Sequence, residues 1–178
     1  MLAIFLTIKN PQNSRGVTLI ETILYMVFLV LIVGVIVQMV IAIGGVYRNI
    51  KLTRELESSG TIAMESMLRE IRNASNVVVS ESAFEVNPGI LMIAGVDENL
   101  NPYNIAFNIS SDVVQVSKNG DTPVALTSSS GLVSYLLFTH VTNANSEGVR
   151  IELEMSGTSG STSKSERFYG FAVLRGSY

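Results

Sequence analysis

The sequence predicts an α+β protein in which one long N-terminal helix packs on a C-terminal antiparallel β-sheet. Three observations support this prediction. No residue between Thr22 and Tyr47 is charged, and an apolar stripe with helical spacing continues beyond that segment to Ala74. After Asn76 the pattern changes to short β-rich runs that are separated by turn residues.

The uncharged segment is long enough to span a membrane. Its 26 residues form a helix of about 39 Å, whereas a bilayer core of about 30 Å needs about 20 residues. An ordinary secretory signal places its basic residues, its apolar core and a small-residue cleavage site in that order. Here Arg15-Gly16 precedes the apolar run, and no Ala-x-Ala site ends it. The segment is therefore predicted to be a transmembrane helix.

The helix is predicted to continue beyond Tyr47 as an amphipathic helix. Its apolar stripe consists of Leu52, Leu56, Ala63, Met67, Ile71 and Ala74. Lys51/Glu55 and Glu65/Arg69 have the spacing of ion pairs on the solvent face, and Ser58-Ser59-Gly60 is a point where the helix could bend. The stripe is expected to pack on the chain's own β domain rather than on a cofactor or a partner.

The β-rich region is read as a set of short antiparallel strands. The expected strands are Val77–Val79, Ala83–Val86, Ile90–Val96, Tyr103–Ile109, Val113–Ser117, Val124–Leu126, Leu132–Thr139, Val149–Met155 and Arg167–Leu174. Asn119-Gly120 predicts a type I′ turn. Ser156–Ser165 contains mainly Ser, Thr, Gly and Lys and is predicted to be a flexible hairpin loop.

Composition argues against several functional classes. The net charge is −3, from 12 basic and 15 acidic residues, so no nucleic-acid surface is expected. The chain has no Cys and one His, His140, and it lacks a Gly-rich phosphate loop and a Gly-x-Ser-x-Gly motif. No cofactor, metal or catalytic residue is predicted. A calcium site in the acidic loops is the alternative, with Glu81, Asp97, Glu98 and Asp112 as its candidates.

Glu21 lies at the edge of the apolar run. A charge in a membrane helix costs about 2.5–3.5 kcal/mol at mid-depth, and less near an edge, so it indicates a functional site with a partner. The alternative is an interfacial carboxylate that the helix dipole stabilises.

Arg15-Gly16-Val17-Thr18-Leu19-Ile20-Glu21, followed directly by a long apolar helix, resembles the processing signature of type IV prepilins and type II secretion pseudopilins. The resemblance implies a pilin-like fold and cleavage by a prepilin peptidase between Gly16 and Val17. It also implies N-methylation of Val17 and a role of Glu21 in assembly. Its implied partners are the peptidase/methylase, other pilin subunits and, before assembly, membrane lipid.

Some features resemble minor rather than major subunits. Gln38 stands near the place where many major pilins carry a helix-kinking Pro, and Val17 replaces the more usual Phe. Arg69–Ala74 resembles the helix end of J-type minor pseudopilins and related minor pilins, and Phe171–Gly176 resembles the final strand of the minor-pilin group.

The expected domains are a leader at residues 1–16, a transmembrane and filament-core helix at 17–47, an amphipathic helix at 48–75 and a β-rich soluble domain at 76–178. The resemblance implies a single-pass protein of the inner membrane, with an extracytoplasmic C-terminal domain, that enters a pilus or a secretion pseudopilus. The expected function is that of a non-enzymatic filament subunit.

Two alternatives remain open. The first is a membrane-anchored binding or adhesion domain that never polymerises and keeps its leader. The second is an anchored hydrolase that uses a Ser with His140. The spacing of residues does not support the hydrolase.

Overall fold

The computed structural model describes residues 16, 18–128, 131–143, 146–160 and 162–175. Helix α1 spans Leu19–Asn73, which is 55 residues. The strands that follow are β1 (Asn76–Val77), β2 (Leu91–Val96), β3 (Pro102–Ser110), β4 (Val113–Lys118), β5 (Val124–Ala125), β6 (Leu132–Asn143), β7 (Ser146–Ser159) and β8 (Thr162–Val173).

The strands form two antiparallel sheets. The first has the order β1-β2-β3-β4-β5 and the second the order β6-β7-β8, so strands that follow one another in sequence pair within each sheet. The predicted fold class, a long N-terminal helix packed on antiparallel β structure, is confirmed. The division into two sheets was not predicted, since sequence alternation reports which residues face the core and not where a sheet ends.

The chain divides into two compact units, Met1–Gly45 and Val46–Tyr178. In the second unit, the predicted stripe of α1 is buried, from Leu52 at 6% exposure to Ile71 at 0%. It shares one apolar cluster with side chains from both sheets, such as Phe107 of β3 and Leu153 of β7. Because α1 presents apolar residues at helical spacing, one face of it covers the sheets.

The helix runs through Ser58-Ser59-Gly60 without interruption. Ser59 and Gly60 are buried, and Ser59 Oγ accepts a hydrogen bond from the N–H of Ser128 at 2.8 Å. The ring of Phe168 from β8 lies so close to Gly60 that a Cβ there would be 2.2 Å from Cε2 of the ring. The small residues that were predicted as a weak point are therefore the place where the second sheet contacts the helix backbone.

The predictions for residues 77–86 were wrong in part. β1 ends at Val77, a 3₁₀ turn follows at Val79–Glu81, and Ala83 forms only a single bridge with Ile90. Glu85 has a φ of 56°, and its N–H donates to the carbonyl of Phe138 at 3.0 Å. Val78 and Ser82 still bond to Met92 of β2, at 2.9 Å each, whereas Glu85 bonds to the β6 edge.

The turn at Asn119-Gly120 is confirmed. Both residues have positive φ, 52° and 78°, and the N–H of Asp121 donates to the carbonyl of Lys118 at 2.9 Å. Positive φ at both central residues is the requirement of a type I′ turn.

The prediction of a flexible loop at Ser156–Ser165 was wrong. Its residues pair in register from Ser156↔Ser165 to Ser159↔Thr162, so β7 and β8 are longer than predicted. The physical reason is a long-range contact. At Gly157 an added Cβ would be 2.8 Å from Leu52 Cδ1 of α1, and the Nζ of Lys164 donates to Thr53 Oγ1 at 2.8 Å. The helix thus stabilises a hairpin whose composition alone is typical of a loop.

Candidate functional site

Of the residues singled out by the sequence, Gly16 and Val17 precede α1 in the chain and Glu21 lies in its first turn. Gly16 is exposed, and Val17, the predicted new N-terminus, lies outside the described residues. The carbonyl of Thr18 accepts hydrogen bonds from the N–H groups of Glu21 at 3.0 Å and Thr22 at 3.2 Å. Thr18 is therefore the N-cap, and Glu21 lies in the first turn, where the positive end of the helix dipole stabilises a carboxylate.

Glu21 has a hydrogen-bond partner on its own helix. The hydroxyl of Tyr25, four residues further on, donates to Oε1 of Glu21 at 2.8 Å. No contact of the second carboxylate oxygen is found among the described residues. Tyr25 was not predicted, although its i+4 spacing was a signal that could have found it. The carboxylate thus has one oxygen held in place and one oxygen left for another group.

The side-chain hydroxyl of Thr22 is also satisfied within the helix. Thr22 Oγ1 donates to the carbonyls of Leu19 at 2.8 Å and Thr18 at 3.3 Å. An unsatisfied polar group in hydrocarbon costs several kcal/mol, so these local bonds lower the cost of placing the Thr22 hydroxyl in an apolar environment.

The helix beyond this turn exposes an apolar surface. Between Leu19 and Ile50, the large apolar side chains are each 48–77% exposed. An 18-residue window of α1 has a mean hydropathy of 3.1 and buries none of its residues, so this described helix is long and apolar enough to cross a membrane. Exposed apolar patches of this size are typical of surfaces that interact with membranes or other proteins.

His140 has contacts that differ from those of a catalytic dyad with serine. Its Nε2 lies 2.6 Å from Oε1 of Glu147, and its ring stacks on Phe84 with centroids 5.1 Å apart. No described hydrogen bond joins it to a serine hydroxyl. These contacts attach the segment around Phe84 to the end of the second sheet.

The acidic loop residues do not converge. Among the described residues, no group of three or more His, Asp or Glu side chains is placed to hold a metal ion. Asp97 instead organises its own loop, since Oδ1 accepts the N–H groups of Asn99 and Asn101, both at 2.8 Å. The hydrogen bonds from Asn101 and Asn99 hold the pKa of Asp97 below its usual value.

Three comparisons, with protein-family models, with curated proteins and with solved structures, found no match to this chain. The assignment of function therefore depends on the architecture and on the residues at the start of α1. The architecture is pilin-like, with one long apolar N-terminal helix on antiparallel sheets.

Proposed function

We propose that this chain is a structural subunit, a minor pilin or pseudopilin, of a type IV pilus-like or type II secretion filament. The observation that carries the proposal is the junction Arg15-Gly16 with Glu21 five residues on, at the start of a helix whose apolar surface is exposed. A prepilin peptidase cleaves after Gly16 and the amine of Val17 is methylated. The role is structural and not catalytic.

Before assembly, the protein is a single-pass protein of the inner membrane with its C-terminal domain outside the cytoplasm. The exposed apolar part of α1 contacts lipid at this stage. In the filament the same surface packs against the helices of other subunits. Both environments cover the apolar side chains, so transfer from lipid to filament leaves few of them in water.

Cleavage changes the charge at the start of the helix. In the precursor, the nitrogen of Val17 belongs to a neutral peptide bond. After cleavage it is an amine with a pKa of about 8, so it is mostly cationic at neutral pH, and methylation keeps that charge. The Val17 amine of one subunit then pairs with the Glu21 carboxylate of a neighbour, and two charges that are costly in hydrocarbon become less costly together.

The contacts of Glu21 support this pairing. Tyr25 holds one carboxylate oxygen at 2.8 Å and leaves the other without a described partner. A second charged or polar group can therefore bind without displacing Tyr25.

The experiment that tests the proposal is mass spectrometry of the mature N-terminus in membranes from the native host. A chain that begins at Val17 and carries the mass of one added methyl group is the expected result. An intact Met1–Gly16 leader would refute the proposal and would favour a membrane-anchored binding or adhesion domain that does not polymerise.

A further inference from the structure

Basic residues follow the apolar segment of α1 directly. Arg48, Lys51 and Arg54 are all exposed, and no acidic residue lies between Thr22 and Arg54. Lys51 is 3.7 Å from Glu55, but Arg48 and Arg54 form no ion pair with any described residue. Arg48 and Arg54 are therefore available to a ligand with negative charge.

Arg54 lines a groove of about 400 Å³. The groove is formed by Val46, Asn49, Ile50, Thr53, Arg54 and Lys164. The α1 residues lie on one face because they are three or four positions apart. Lys164 of β8 is held beside the helix by its 2.8 Å hydrogen bond to Thr53 Oγ1. The groove thus combines two apolar side chains with two cations, and its lining contains no acidic residue.

The position of the groove along α1 matches the headgroup layer of a bilayer. Arg54 is seven residues beyond Tyr47, the last residue of the uncharged segment, which is about 10 Å along the helix axis. A bilayer of about 40–45 Å with a hydrocarbon core of about 30 Å has headgroup layers of about 5–8 Å. If the uncharged segment, about 39 Å long, tilts so that it fills a core of about 30 Å, Arg54 lies about 8 Å beyond the core, at the outer edge of the headgroup layer. Tyr47 is of the residue type enriched at that boundary.

We propose that this groove binds an anionic phospholipid. Arg54 and Lys164 contact the phosphate, with the planar guanidinium donating two hydrogen bonds and the ammonium acting as a point charge. Val46 and Ile50 contact the glycerol and the first carbons of the acyl chains. The proposal rests only on the membrane-anchoring part of the proposed function, and it needs neither cleavage nor a filament.

Lipid is favoured over other anionic ligands by the apolar side chains of the groove. The groove contains Val46 and Ile50, which are exposed and apolar, so a lipid can contact them with its glycerol and first acyl carbons while its phosphate reaches the cations. A small soluble anion would use the two cations but not the apolar side chains.

The test uses the full, unprocessed chain in a mild detergent that contains equal amounts of phosphatidylcholine and phosphatidylglycerol with the same acyl chains. Native mass spectrometry counts the lipids that remain bound. The wild type is expected to retain phosphatidylglycerol preferentially. Arg54→Gln/Lys164→Gln should lower this preference by roughly 5-fold for each lost cation. The matched control, Arg69→Gln/Arg150→Gln, removes the same charge from exposed residues outside the groove and should keep the preference.

Equal retention of the two lipids by the wild type would overturn the proposal. So would an equal loss of preference in the control variant, because net charge and not the groove would then be responsible. Arg54→Lys/Lys164→Arg keeps both charges and should retain the preference, which separates lost binding from misfolding. An intact leader in the native host would refute the filament subunit and leave this result standing, whereas equal lipid retention would refute the groove alone.

Discussion

Glu21 is the residue on which the proposed assembly depends. It lies in the first turn of α1, and Tyr25 stabilises its carboxylate through one oxygen at 2.8 Å. Breaking a buried charge pair by removing one partner costs about 3–5 kcal/mol, because the other charge is left buried without compensation. In the filament, that remaining charge would be the Val17 amine of the neighbouring subunit.

Glu21→Ala is therefore expected to leave cleavage after Gly16 intact but to reduce incorporation into filaments by at least about tenfold. The measurement is the amount of subunit in the sheared filament fraction of the native host, compared with the processed subunit in the membrane. Glu57→Ala is the matched control, since Glu57 is exposed on the same helix and forms no described ion pair. Normal incorporation of Glu21→Ala would contradict the charge pairing.

Asp97 makes the stability of its loop dependent on pH. Hydrogen bonds from the Asn101 and Asn99 N–H groups lower the folded-state pKa of Asp97 below the unfolded value of about 3.9. A lowered folded-state pKa contributes stability that is present above the unfolded pKa and is lost as the pH falls through the folded pKa. Asp97→Asn keeps an oxygen acceptor but cannot titrate in this range.

The wild type is thus expected to have a higher midpoint of thermal unfolding than Asp97→Asn at about pH 6, and the difference should shrink toward about pH 3. Glu98→Gln removes a neighbouring carboxylate that makes no described hydrogen bond, so it should show no such trend. A difference between wild type and Asp97→Asn that stays constant with pH would refute this role.

At the scale of secondary-structure elements, the ring of Phe168 from β8 packs directly against α1 at Gly60. Replacing Gly by Ala within an exposed helix normally stabilises it by about 1 kcal/mol. At Gly60 the added Cβ would be 2.2 Å from the Phe168 ring, and overpacking of this kind costs about 1–3 kcal/mol. Gly60→Ala is therefore expected to lower the unfolding midpoint, which is the opposite of the effect in an exposed helix.

A double-mutant cycle with Phe168→Leu tests the cause. The smaller side chain makes room for the Cβ, so Gly60→Ala should be less destabilising in the Phe168→Leu background. Ser58→Ala, at an exposed position of the same helix, is the control and should change the midpoint little. Equal effects of Gly60→Ala in both backgrounds would show that Phe168 is not the cause.

The same elements show what local sequence could and could not predict. The buried stripe of α1 and the turn at Asn119-Gly120 were predictable, because helical spacing and positive φ are properties of neighbouring residues. The pairing within Ser156–Ser165 was not, because it depends on Leu52 and Thr53, which are about a hundred residues away in the chain.

The residues of the candidate site and of the groove likewise divide into those that local sequence predicts and those that only the fold brings together. Gly16, Val17 and Glu21 stand in one short motif and could be chosen from the sequence alone, although Val17 lies outside the described residues. The contact of Lys164 with Thr53 depends on a β8 residue brought to the helix by the fold, so only the structure reveals the groove that it lines.

For the whole molecule, the location of the buried core leads to a prediction about folding. All described buried apolar side chains of the core, from Leu52 to Leu174, lie within the compact unit Val46–Tyr178. The exposed apolar segment contributes none of them. A fragment of residues 46–178 is therefore expected to fold without detergent. Far-UV circular dichroism should show β structure that is lost in one cooperative thermal transition, and gel filtration should show no large aggregates.

A fragment of residues 61–178 provides the contrast, because it lacks Leu52, Leu56 and the Ser59 hydroxyl that binds the N–H of Ser128. Losing a buried Leu side chain costs about 2–5 kcal/mol, and two such losses approach the total stability of about 5–15 kcal/mol of a small domain. The shorter fragment should therefore unfold or aggregate under conditions in which the longer one is folded. If both fragments unfold with the same midpoint, residues 46–60 are not part of the core. If neither folds, the exposed apolar segment contributes to stability in a way that burial does not indicate.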